Sequence, residues 1–349
     1  MKAVSVSSSA ISNAMRYSQT RMQVDLVKAQ KELDSGKVAD IGLTLGANTS
    51  QSVNFHRDLD RLNSIVDSNA LVSSRLKSTQ DALGQIVGAA QSLLSSMTVA
   101  SSGDMPDSVA AESGRSALQS LTSMLNSSLN GEYLFAGTNT DVRPINDYSA
   151  ASSPAKAAFD AAFLARFGFS QSNPAAASIS AADMDDFLTN DITPQFMGAG
   201  WQANWSNATD QQIVSRISLN ETTETSVSAN QEGLRKIAMA AAIVSEAFSG
   251  NLGTAAKNAA AAKALALAGE AISDLGQLQS QTGIVQNRVS GASERINTQV
   301  DLFERHIIDL EGVDPYEAAN RVNDLMSHIQ TSFALTARIQ QLSLLNYLT

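Results

Sequence analysis

The 349-residue chain contains no cysteine, which removes disulfides, thiolate metal sites and cysteine nucleophiles together. Aromatics make up only 5%, too few for one thick globular core and better suited to long helices that touch along thin seams. Arg and Lys are outnumbered by Asp and Glu, for a formal charge of −10, and no basic cluster is visible. Phosphate binding needs such a cluster, so nucleic acid is not an expected partner. The longest apolar run, Ile237 to Val244, falls far short of the ~18 residues of a membrane span. Residues 1–22 lack the apolar block of a cleaved secretory signal. The chain therefore reads as one that needs no membrane and, if exported, uses a route without such a signal.

What is present is concentrated at the chain ends. Asp314-Pro315-Tyr316-Glu317 is a helix start: Asp314 caps, Pro315 sits where a missing N–H costs nothing, and Glu317 is placed to complete a capping box. From there Val322, Leu325, Met326, Ile329, Phe333, Thr336, Ile339, Leu342 and Leu345 recur at steps of three and four, one narrow apolar stripe. Such a stripe needs a partner helix, because helical stability in water comes mostly from burying the apolar face. Residues near the other end offer one. Ile11, Met15, Met22, Leu26, Ala29 and Leu33 follow a seven-residue rhythm, with Ser18 and Asp25 as polar off-beats, and Ser35-Gly36 should stop the helix. Residues 1–40 and 311–349 are accordingly read as terminal helices. Their polar off-beats make them marginal alone and prone to disorder in an isolated monomer.

Inside these ends the pattern predicts a helical rod, residues 41–145 and 231–310, interrupted by an insert at 146–230. Residues 40–52 read as a loop. Leu62, Val66, Leu76, Leu83, Val87, Ala90, Leu94 and Met97 then fit a heptad frame. After a break at residues 101–107, Leu118, Leu121 and Leu125 mark a shorter helix to about Leu129, expected to fold back on the first as a hairpin. Tyr133 to Ala136 alternates like a strand after Asn130-Gly131, with residues 142–145 as a return strand. In the insert, Ala155 to Phe167 suggests a short helix, and Ile213 to Ile217 and Thr222 to Val227 suggest strands. Helix resumes near Gln231, breaks at residues 249–251 and runs to Gly276. A second seam follows through Val285, Val289, Ala292, Ile296, Val300, Phe303, Ile307 and Leu310. The expected fold is mainly α, with long coiled-coil-like helical hairpins from both ends and a small α+β insert.

No motif points to catalysis. Asp183, Asp185, Asp186 and Asp191 lack the turn glycine and closing glutamate of a calcium loop, and read as an acidic solvated turn. His56, His306 and His328 have no second ligand at metal spacing. Gly36-Lys37 lacks the rest of a phosphate loop. Met15, Met22, Met97 and Met326 read as seam residues, and Trp201 with Trp205 as core of the insert. No metal, cofactor or catalytic residue is expected.

Four stretches together resemble the bacterial flagellin and hook-associated family: Leu33-Asp34-Ser35-Gly36-Lys37; Tyr133-Leu134-Phe135-Ala136-Gly137-Thr138; Gly312-Val313-Asp314-Pro315-Tyr316; and the ending Gln340 to Leu348. The second is the most specific, and Val38 departs from the family's usual basic residue. The resemblance implies a non-enzymatic building block of the extracellular flagellum. It implies export through the flagellar type III apparatus, with a chaperone, and terminal helices that form the inner layer of a tube on assembly. It is greatest to the members that join hook to filament. Those would meet copies of themselves in a ring, a hook-side junction protein and flagellin. The filament subunit itself, or a cytoplasmic coiled-coil signalling rod, are the alternatives.

Overall fold

The computed structural model describes residues 8–101 and 105–348, with side chains for residues 10–11, 13–101 and 105–339. In chain order the elements are α1 (Ser8–Ser35), α2 (Ile41–Leu45), α3 (Thr49–Ser101), α4 (Asp107–Leu125), β1 (Ser128–Leu129), β2 (Glu132–Tyr133), α5 (Pro154–Phe167), α6 (Ala181–Phe187), α7 (Thr193–Met197), β3 (Val214–Ser218), β4 (Glu221–Glu224), α8 (Glu232–Ser249), α9 (Thr254–Glu311) and α10 (Pro315–Leu348). Helix dominates, and long helices come from both ends. The chain forms two compact units, one of residues 1–64 with 296–349 and one of residues 65–295.

In the first unit, α1 ends where expected, at Gly36 with φ +66°, a left-handed stop that glycine adopts without strain. The stretch at 40–52 is not a loop. Asp40 Oδ1 accepts the Leu43 N–H at 3.0 Å and starts α2, a 3-10 turn follows, and α3 begins at Thr49. The N-cap signature of Asp40 outweighs the glycines around it. At the other end Asp314 caps α10 by accepting the Tyr316 N–H at 2.8 Å. Glu317 does not complete the box: it turns to Arg321, one turn on, at 3.0 Å. An i,i+4 ion pair replaces the reciprocal cap.

The larger unit is built around α8, whose residues from Ile237 to Val244 are all buried. The closest partner of α4 is α8, not α3 as a simple hairpin would have it. Ala110, Ala111, Gly114 and Ala117 line its buried side, and a Cβ on Gly114 would lie 2.6 Å from the Ser245 N and 2.8 Å from the Ala241 O. Small residues let these two backbones approach. On α3 the inward positions are Ile65, Leu76, Leu83, Ile86, Ala90, Leu93 and Met97. The expected Val66, Val87 and Leu94 are only half-buried or packed at the margin. Both sets are apolar at steps of three and four, so the partner helices decide which one turns inward. Helix α9 passes Gly276 unbroken and buries Val289, Ala292 and Ile296 of its second seam.

The strand near Tyr133 also begins earlier than its alternation implies. Asn130 and Gly131 take φ +55° and +86° and join β1 to β2, pairing Leu129 with Glu132. Asn-Gly is thus a hairpin turn rather than a helix end. Leu134, Phe135 and Ala136 are then all buried, so no alternating strand continues. Residues 142–145 form no strand either: Ile145 makes a single bridge to Ser206 and Ala136 one to Ser228. Within the insert α5 and the β3–β4 hairpin form as expected. Trp201 and Trp205 are buried core, stacked at 5.5 Å.

Candidate assembly site

The terminal helices pair with each other. Gln19 Nε2 donates to Ser332 Oγ (3.2 Å) and Thr336 Oγ1 (3.1 Å), Thr336 Oγ1 approaches Met15 Sδ at 3.8 Å, and Arg321 meets Glu32 at 2.9 Å. Rising numbers on one helix meet falling numbers on the other, so the pair is antiparallel. On α10 the positions turned toward the partner are Ala318, Val322, Leu325, Ile329, Ser332, Thr336 and Ile339, the first two buried and the rest half-buried, alternating steps of four and three that make a narrow seam. On α1 they are Met15, Gln19, Met22, Leu26 and Ala29. Gln19 takes the polar position expected of Ser18, and Ser18 and Asp25 face solvent. Ile11 and Leu33 sit at the exposed margin. The side chains of Leu342 and Leu345 lie outside those described.

The pair does not use all the apolar surface it carries. Tyr17, Val24 and Val27 on α1 and Met326, Phe333 and Leu335 on α10 are exposed. On the heptad of the seam, Tyr17 and Val24 fall on the face of α1 opposite its partner, while Met326 and Phe333 flank the α10 seam. A helix pair with apolar residues beyond its seam has one face satisfied within the chain and further apolar surface left exposed.

Where the terminal helices join the rest of their unit, Glu311 is completely enclosed. Its Oε2 accepts Lys37 Nζ at 3.0 Å, and its Oε1 accepts Ser52 Oγ at 2.5 Å and bonds His56 Nε2 at 2.8 Å. Burial pushes this carboxyl up, but the hydrogen bonds from Ser52, Lys37 and His56 outweigh it and hold it below the ordinary glutamate range. Little in the sequence announces this cluster, whose members lie far apart along the chain. Its one visible signal is a carboxylate four residues after Ile307, on the apolar side of the α9 seam.

The family-like segment lies in the larger unit and positions backbone. Arg75 donates to the Tyr133 carbonyl at 2.8 Å and pairs with Glu132. Leu134, Phe135 and Ala136 enter the core. Gly137 has φ +68°, and a Cβ there would meet the Thr209 carbonyl at 2.4 Å. The Thr138 N–H donates to Thr209 Oγ1 at 2.9 Å.

The other candidates have local roles. Asp183 belongs to the Ser180 cap, Asp186 and Asp191 pair with Arg166, and Asp185 is exposed. His306 stacks on Phe55 at 5.4 Å, and His328 faces solvent. Among the described residues no group of three or more His, Asp or Glu could hold a metal ion. None of their helices is long and apolar enough to cross a membrane.

This geometry defines a helical structural subunit whose chain ends pair with each other and still present apolar faces. The family model for the bacterial flagellin N-terminal helical region matches residues 6–140, and that for the C-terminal helical region matches residues 265–348. The chain belongs to the bacterial flagellin family, and its role is a structural one in the flagellum. Among solved structures, a Vibrio parahaemolyticus protein assigned to the flagellar hook-associated proteins matches with a TM-score of 0.52 and 12% identity, over 76% of this chain and 97% of that one. At that identity the likeness is one of fold. No sequence among characterised proteins matches. Residues 141–264, between the two family regions, include the insert.

Proposed function

We propose that this chain is a hook–filament junction subunit that assembles in a ring through its terminal helices. The observation that carries the assembly role is the second apolar face, with Tyr17 76% and Phe333 51% exposed on helices already paired by their seam. In the ring, α1 and α10 would form the inner layer and meet neighbouring copies, a hook-side junction protein and flagellin, while the insert faces outward. The junction role is favoured over that of bulk filament by the resemblance of Tyr133 to Thr138 and of the chain's ending to junction members, and by the hook-associated assignment of the Vibrio protein. Export through the flagellar apparatus with a dedicated chaperone belongs to the same reading. In the free subunit the terminal pair is only marginally held, because a two-helix seam broken by Gln19, Ser332 and Thr336 buries little apolar surface.

Immunogold labelling of intact flagella tests this, with the label expected at a single band between hook and filament. Label along the whole filament would make the chain the filament subunit. Detection of the intact chain only inside cells would favour the signalling rod.

A further inference from the structure

Glu311 does more than end a helix. Its carboxylate is 0% exposed and its peptide carbonyl accepts the Val38 N–H at 2.8 Å. Two residues on, Val313 N–H donates to the Gly36 carbonyl at 3.0 Å, and between them Gly312 pairs with Lys37 as an antiparallel bridge. The connector after α1 is thereby held at the end of α9 by backbone, and at the first turns of α3 by the same side chain acting through Ser52 and His56. Lys37 from the connector and His56 from α3 are the titratable groups bonded to this carboxylate. Glu32 of α1 and Arg321 of α10 are engaged with each other, Asp40 caps α2, and His306 of α9 stacks on Phe55.

An enclosed carboxylate is tolerable only while its hydrogen bonds are complete. Removing its charge leaves Lys37, itself 43% exposed, with every reason to turn to water. We propose that Glu311 is an ionisation-dependent latch: as a carboxylate it clamps the Lys37–Val38 connector to α3 and α9, and protonation releases the connector and with it the root of the α1–α10 pair. The sign follows from linkage. A carboxyl held below its unfolded range stabilises the closed form above that range, and the contribution is lost as pH falls through the depressed folded value. The inference rests on packing within one unit and not on the flagellar reading, so either can fail without the other.

Amide hydrogen exchange of Val38 and Val313 in the full chain, corrected for intrinsic rates, reads the latch directly. In Glu311→Gln both amides should exchange about tenfold or more faster at neutral pH, the loss expected when hydrogen bonds to a charged group are removed. The native chain should show the same acceleration on acidification below the ordinary glutamate range, and Glu311→Gln should show no such step. Lys37→Met keeps the carboxylate, removes its cation and must move the step to higher pH. Equal exchange of Glu311→Gln and the native chain at neutral pH would overturn the proposal, as would an acid step surviving in Glu311→Gln. If that variant does not fold, Lys37→Met decides alone: an unmoved or lowered step refutes the latch.

Discussion

Phe333→Ser separates a face reserved for neighbours from one used inside the chain. Phe333 is 51% exposed on α10. A phenylalanine buries roughly 200 Å² when enclosed, so ~100 Å² is left for a neighbour. At about 25 cal/mol per Å² that area contributes ~2.5 kcal/mol to each contact, a factor of roughly seventy in association. Ser and Phe have similar helix propensity, so the free chain should keep its helix. Val322→Ser is the counterpart: Val322 is 9% exposed in the α1–α10 seam, and its loss should weaken the pair before any neighbour arrives, by about 1–2 kcal/mol. Circular dichroism of the free chain and sedimentation of its assemblies read the two effects separately. Phe333→Ser should raise the concentration needed for association by one to two orders of magnitude with unchanged helix content. If it assembled at the native concentration, or lost as much helix as Val322→Ser, the division into inner seam and outer face would be wrong.

Three further perturbations test other parts of the structure. Gly114→Ala gains about 1 kcal/mol of helix propensity, but its methyl meets backbone atoms of Ser245 and Ala241, an overpacking that costs about 1–3 kcal/mol. The net loss should lower the melting temperature of the larger unit by about 2–4 °C, followed through Trp201 and Trp205, and a rise would mean the α4–α8 approach is looser than described. Leu325→Asp places a charge in the terminal seam and should impair assembly far more than Asp185→Ala at an exposed site; equal assembly yields would contradict it. Deleting residues 316–349 removes α10 and should abolish assembly while the Trp201 and Trp205 melting signal is unchanged, since both tryptophans belong to the other unit. Normal incorporation of the truncated chain would refute the terminal-helix mechanism.

Much of the helical skeleton was legible because its signals are local. The stop at Gly36, the start at Pro315 and the close of the α9 seam at Glu311 depend on residues within a turn of each boundary. So does α5, with its capping Ser153 and its left-handed Gly168. The Asp40 cap and the Asn130-Gly131 hairpin are equally local, but glycine marks loops, helix ends and hairpin turns alike, so its presence does not choose among them.

The periodic spacing of small apolar residues, with few prolines to interrupt it, determined by itself that this chain would be long helices seeking partners. Only the tertiary structure decided which of two adjacent apolar rows on α3 turned inward, because Ile65, Ile86 and Leu93 satisfy the same period as Val66, Val87 and Leu94. It alone brought Glu311, Lys37, Ser52 and His56 together, from positions up to 274 residues apart. Periodicity records the shape of one helix, whereas burial and ion pairing depend on what another part of the chain places against it.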